Sequence, residues 1–197
     1  MEKKQLNELL YQALETEKGG VRVYRTAIQC AVNEDLKEEW EEYLEQTENH
    51  ERILLELFEE MGLDPETETT GRRVVRSIGQ TLVKAMETAM ESGESKAAQL
   101  VAAECVVEAE TKDHLNWGLI GQVAKELKGT EAKTLKKAHE EVEEEEDEHL
   151  YHTTGWAREL WIEALGLPAV IPPPEEEKEV TTAIGAARAK QSRKKML

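Results

Sequence analysis

The chain is poor in most of the residues that mark a specialised class. Its 197 residues include two cysteines, five prolines, one phenylalanine and only 5% aromatic side chains. Cys30 and Cys105 have no paired spacing that would make a zinc knuckle, a redox Cys-x-x-Cys or a disulfide framework. Both are read as free thiols that pack as small apolar groups. No apolar run approaches the ~18 residues of a membrane span. The opening stretch Met1-Glu2-Lys3-Lys4-Gln5-Leu6 has no apolar signal segment, so the expectation is a soluble, cytoplasmic protein with no membrane partner. Basic charge is scarce as well: 25 Lys and Arg against 42 Asp and Glu leave a net charge of −17. A surface of that sign argues against nucleic acid as a partner of the main domain, because phosphate backbones are bound through positive charge. Residues 167–197 are the exception, with six basic and four acidic residues, so only this tail would attract a polyanion.

What the chain does have is length and helical periodicity. A chain of this size can bury roughly 68–70% of its unfolded surface, enough for one ordinary domain with an appendage. Apolar residues recur with a period near 3.6, and runs of β-branched residues are rare, which predicts an all-α protein. A first helix is expected over about 3–32, with a stripe at Leu6, Leu10, Ala13, Leu14, Val21, Tyr24 and Ala27. A second, over about 36–61, starts at the capping-box pattern Asp35-Leu36-Lys37-Glu38, carries Trp40, Tyr43, Leu54, Leu57 and Phe58, and stops at Gly62. After the polar loop Asp64 to Thr70 comes a shorter amphipathic helix over about 72–91, with Val75, Ile78, Leu82, Met86 and Ala89 on one face. Two more long helices follow, over about 95–127 and 131–165, separated at Gly129-Thr130.

Two hairpins joined by a long connection have the connectivity of a four-helix bundle with one crossover. The crossover helix is expected to lie across the bundle or at a dimer contact, giving a homodimer or higher oligomer. The bundle domain is assigned to residues 1–166. Residues 167–197 form a Pro- and Glu-rich linker, Pro172-Pro173-Pro174 then Glu175-Glu176-Glu177, and a basic tail from Gly185 to Leu197. The tail is expected to be exposed.

A few acidic residues fall on the apolar stripes, and these carry the chemistry. Glu17 follows Ala13 and Leu14 by one turn and precedes Gly20 and Val21 by another. Glu110 follows Val106 and Val107, with Asp113 and His114 one turn on. Trp117 lies seven residues after Glu110, as Tyr24 lies seven after Glu17. In the last helix, Leu135, His139, Val142, Glu146, His149, Thr153 and Trp156 share a face, so Glu146 and His149 point inward together. In the second helix the matching inward positions are Thr47 and His50. A lone carboxylate in an apolar interior either stays protonated or finds a cation, and several together favour a metal. Imidazole with carboxylate suits iron, manganese or zinc. In helical bundles the recurring donor set is a Glu from each of two helices and Glu-x-x-His from each of the other two. This chain supplies Glu17, His50, Glu110, Glu146 and His149. Glu140 to Glu148 is acidic everywhere except Val142, so the Glu146-x-x-His149 spacing alone says little. The weight lies in five candidate ligands on four separate stripes.

On these residues the chain resembles the ferritin-like superfamily, in its bacterioferritin and rubrerythrin branch of di-iron carboxylate proteins. The resemblance covers about residues 3–165. It implies a carboxylate-bridged dinuclear iron centre, or one of manganese, that oxidises ferrous iron or reduces oxygen or peroxide. Glu17 and His50 would bind one metal, Glu110 and His149 the other, with Glu146 bridging; Glu17 and Glu146 are the residues on which catalysis turns. The chain departs from the family at Thr47, where a bridging Glu is expected. Three outcomes stay open: Glu51 supplies the carboxylate, His114 adds a nitrogen ligand, or the site holds one metal. No pair of Cys-x-x-Cys motifs is present for an attached rubredoxin-like centre. Tyr24 and Trp117 are read either as neighbours of the metal or as core packing, and His139 and His152 as core or rim histidines. Two other functions remain: an iron-sequestering storage or cargo subunit addressed by the tail, and a metal-free interaction or stress protein with a degenerate site.

Overall fold

The computed structural model describes residues 2–171 and 174, so the basic tail and most of the linker lie outside the described residues. Among the described residues the chain is five α-helices with no strand: α1 (Lys3–Cys30), α2 (Glu34–Met61), α3 (Thr70–Glu91), α4 (Ser95–Glu126) and α5 (Thr130–Ala164). None of them is long and apolar enough to cross a membrane. The all-α expectation and the element boundaries agree with this, with one correction at the start of α2. The cap there is Asn33, whose side chain accepts a hydrogen bond from the Leu36 amide at 3.2 Å. Asp35 instead lies in the first turn, where its charge complements the exposed backbone N–H groups. At the other end Gly62 takes φ 66°, and the Leu63 amide reaches back to the Phe58 carbonyl at 2.9 Å. Only glycine adopts that left-handed conformation without strain, so α2 stops there.

α1, α2, α5 and α4 pack in a ring, each against the next, and α3 lies outside against α1 and α4. Contacts between ring neighbours show that they run antiparallel. Residue numbers fall on one helix as they rise on the other, from Glu17 with Trp117 to Tyr24 with Glu110, and from Tyr43 with His152 to Glu60 with Thr134. α3 does not cross the bundle as one expectation had it. It runs alongside α1 in the same direction, from Glu8 with Gly71 to Glu15 with Arg76. Its first half is held by charge, because Arg72 and Arg76 both bond to the buried Glu15 carboxylate. With these arginines facing α1, Ile78 is left 55% exposed, and only Leu82 and Met86 of the expected apolar face are buried.

The interior is divided along its length. One apolar cluster joins Val23, Tyr24 and Ala27 to Trp40, Tyr43, Val106 and Trp156. The other joins Leu10 and Leu14 to Leu54, Phe58, Trp117, Ile120 and Val142. Between them, on all four helices of the ring, lie buried polar residues: Glu17, Thr47, His50, Glu110, Asp113, Glu146 and His149. Each helix of the ring therefore carries apolar residues toward both ends of its inward stripe and polar ones at the same middle level. Cys30 and Cys105 are buried free thiols, as expected, and burial pushes the Cys105 thiol up to about 11.

Candidate metal centre

The five candidate ligands that the sequence places on four stripes do converge in the structure. Glu17 and His50 are fully buried, and Glu110, Glu146 and His149 are 3% exposed or less. They form two overlapping groups of donors. One donor atom from each of His50, Glu146 and His149 lies within 4.8 Å of the others, and the same holds for Glu17, Asp113 and Glu146. Glu146 is common to both. Glu110 adjoins the first group, its Oε2 lying 3.6 Å from His149 Nδ1. The grouping differs from the expected pairing of Glu17 with His50 and Glu110 with His149, although His50 Nδ1 still lies 3.9 Å from Glu17 Oε1.

Hydrogen bonds fix which face of each group is turned inward. His50 Nε2 lies 2.7 Å from Glu145 Oε2, and His149 Nε2 lies 2.7 Å from Gln46 Oε1. Both partner atoms are acceptors, so each Nε2 carries the ring proton and each Nδ1 presents a lone pair to the interior. Trp117 Nε1 donates to Glu17 Oε1 at 2.6 Å, and the Tyr24 hydroxyl donates to Glu110 Oε1 at 2.7 Å. One oxygen of each carboxylate is thereby held, and the other is left facing the polar layer. The outcome is five buried atoms without a hydrogen-bond partner: Glu17 Oε2, His50 Nδ1, Glu110 Oε2, Asp113 Oδ1 and Glu146 Oε2. Buried polar atoms in native proteins are nearly always paired, so five orphans at one level mark a position that a cation or protons complete.

The electrostatics agree. Among the described residues no ion pair joins a Lys or Arg to Glu17, Glu110, Asp113 or Glu146; His50 stands beside Glu17 and Glu146, and His149 beside Glu110 and Glu146. Glu17 is pushed well above the usual carboxylate range by burial, then by the charges of Asp113 and Glu146. Asp113 is raised by burial and by Glu146 and Glu110, and Glu146 by burial and by Glu110. His50 Nδ1 lies 3.0 Å from Glu146 Oε1, a separation at which two acceptors repel unless a proton or a cation stands between them. The donor set is oxygen and imidazole nitrogen, which fits a transition-metal dication.

The two side chains that could stand in for a carboxylate at 47 lie outside the donor groups. His114 does not reach the centre: its Nε2 lies 2.8 Å from Asp147 Oδ1 on the rim, with its side chain 35% exposed. Glu51 is only half-buried and belongs to neither donor group. Thr47 is buried, but its hydroxyl donates to the Tyr43 carbonyl at 2.7 Å, and its methyl faces Gly20, where an added Cβ would stand only 3.1 Å away. α1 and α2 therefore approach too closely there for Thr47 to act as more than packing. Asp113 is the donor that the sequence reading passed over. Its signal was present, because Glu110-x-x-Asp113 has the same spacing as Glu146-x-x-His149, which sets two donors on one helical face. Tyr24 and Trp117 are core residues that also donate to the carboxylates of Glu110 and Glu17. His152 is held at Nδ1 by the Tyr43 hydroxyl at 2.7 Å, as a core histidine. No family model matches this chain, nor does any curated protein or solved structure.

Proposed function

We propose that the chain is a ferritin-like metalloprotein with a dinuclear carboxylate and histidine centre, taking iron, that oxidises ferrous iron or reduces oxygen or peroxide. The observation that carries this reading is the five buried donor atoms without partners, drawn from four helices and aimed into one polar layer. Its ring of antiparallel helices with a crossover helix outside supports the ferritin-like comparison. So does the inward set Glu17, His50, Glu110, Glu146 and His149. Bound iron would supply electrons one at a time to an oxidant while staying coordinated.

The chain's own residues do the rest. Glu146 is shared by both donor groups and would bridge them. Glu145 and Gln46 hold the Nε2 protons of His50 and His149, so the Nδ1 lone pairs stay turned inward. Trp117 and Tyr24 orient Glu17 and Glu110 through one carboxylate oxygen each, leaving the other oxygen without a partner. Glu17, Asp113 and Glu146 favour their protonated forms in the metal-free protein, so binding cations releases protons there. The apolar clusters above and below keep bulk water from the layer, which strengthens each electrostatic contact within it.

The test is anaerobic loading with ferrous iron followed by air. The expected result is oxygen uptake with a new near-ultraviolet absorption band in the wild type, and neither in Glu146→Ala. Equal uptake by both proteins would refute the assignment.

A further inference from the structure

The two donor groups differ in chemistry. Glu17, Asp113 and Glu146 offer oxygen alone, whereas His50, His149 and Glu146 offer two imidazole nitrogens and one oxygen. The difference follows from where each helix places its residues. α2 contributes no carboxylate, because a threonine stands at 47 with its hydroxyl engaged by the Tyr43 carbonyl, and contributes His50 alone. Asp113, one turn after Glu110 on α4, brings the extra carboxylate to the opposite side, beside Glu17. Nitrogen donors thus come from α2 and α5 alone, while α1 and α4 add only oxygen: Glu17 and Asp113 to one group, and Glu110 beside the other, 3.6 Å from His149 Nδ1.

Both groups are built to receive a cation. In the oxygen group Glu17 Oε2, Asp113 Oδ1 and Glu146 Oε2 are buried without partners. In the nitrogen group His50 Nδ1 is a buried orphan. His149 Nδ1 is aimed the same way by the bond from its Nε2 to Gln46. Carboxylate sets suit hard dications such as manganese and magnesium, and imidazole suits zinc and ferrous iron.

Resting on the dinuclear reading above, we propose that the two positions are selective for different metals. The Glu17, Asp113 and Glu146 position takes a hard dication of the manganese class. The His50, His149 and Glu146 position takes a borderline dication of the zinc or ferrous class. The centre is therefore heterodinuclear when both kinds of cation are supplied. Zinc binds more tightly than manganese to most donor sets, so selectivity appears as which position each metal fills when neither is in excess.

The experiment uses the full chain and redox-inert probes, one equivalent each of Zn2+ and Mn2+, read by native mass spectrometry and by electron paramagnetic resonance of bound Mn2+. The expected result is a dominant species with one zinc and one manganese on the same chain. Asp113→Asn should weaken Mn2+ binding at least tenfold and change Zn2+ binding less than threefold, and His149→Gln should do the reverse. Circular dichroism checks that each variant folds. If Asp113→Asn does not fold, Glu17→Gln tests the same position with the same readouts. Chains carrying two zincs beside chains carrying two manganese ions would overturn the selectivity and leave the dinuclear reading intact. So would an equal loss of both metals in Asp113→Asn. No uptake of either cation would overturn both.

Discussion

Two buried carboxylates stand two residues apart on α1, and the chain treats them in opposite ways. Glu15 is 2% exposed and Glu17 is 0% exposed, so both have lost nearly all contact with water. Glu15 faces the crossover helix, where Arg76 grips it with two hydrogen bonds at 2.9 Å and Arg72 with one at 3.1 Å. Burial pushes its pKa up, but the bonds and charges of Arg76 and Arg72 outweigh that, and the result is lowered. Glu17 faces the ring interior, where its neighbours are Asp113 and Glu146, and it is raised. Arg72 further donates to the Thr67 carbonyl at 2.9 Å and to that of Pro65, so the satisfied carboxylate also anchors the loop into α3. One carboxylate supports the fold. The other opposes it until a positive charge arrives, which is the property expected of a binding site rather than a structural one.

The contrast can be broken most strongly at Glu15. Replacing Glu15 by Ala leaves Arg72, itself 3% exposed, without its carboxylate, and should cost about 3–5 kcal/mol in chemical denaturation. A loss under about 1 kcal/mol would show that the pair is not structural. Next in size is the effect of filling the centre. A cation at roughly 1,000 times its dissociation constant should add about 4 kcal/mol and raise the unfolding temperature by roughly 10 °C, read by differential scanning calorimetry. Glu17→Gln should have a smaller effect, of the opposite sign to Glu15→Ala. In metal-free protein it removes a group whose ionisation burial and two acidic neighbours oppose, so stability should hold or rise by about 1 kcal/mol, while the gain from the cation shrinks.

The pH dependence sharpens the same contrast with the smallest signal. Because the Glu15 pKa is lowered in the folded state, its contribution is present above the ordinary carboxylate value of about 4.3 and is lost as pH falls below it. Glu17, Asp113 and Glu146 are raised, so their folded state holds more protons than the unfolded one. Their contribution is greatest in acid and declines as pH rises from about 4 through the raised values. Thermal unfolding of metal-free protein across pH should therefore lose its acid limb in Glu15→Gln and flatten toward neutral pH in Glu17→Gln. Identical profiles for the two variants would contradict the distinction.

Much of this was legible in the sequence, because burial in a helical ring follows periodicity. Glu17, His50, Glu110, Glu146 and His149 were found by their place on apolar stripes, and all five are buried where the stripes meet. Stripes report direction from one helix, however, and not which side chains meet across helices. That is why Asp113 was passed over and why His114 and Glu51 were considered. His114 and Asp113 are consecutive, and only the packed geometry shows which of them turns inward and which pairs with Asp147 at the rim. Glu15 was missed for a related reason. Its partners, Arg72 and Arg76, come from the crossover helix, and the periodicity of one helix does not say that α3 lies along α1.

The central claim is that the polar layer completes itself by binding cations. Native mass spectrometry of the full chain, purified without chelator or affinity metal and titrated with ferrous iron in the absence of oxygen, tests this most directly. The account predicts two irons per chain in the wild type and fewer than two in Glu146→Ala, since Glu146 serves both donor groups. A wild-type chain that carries no metal and takes up none, with its unfolding temperature unchanged, would contradict it.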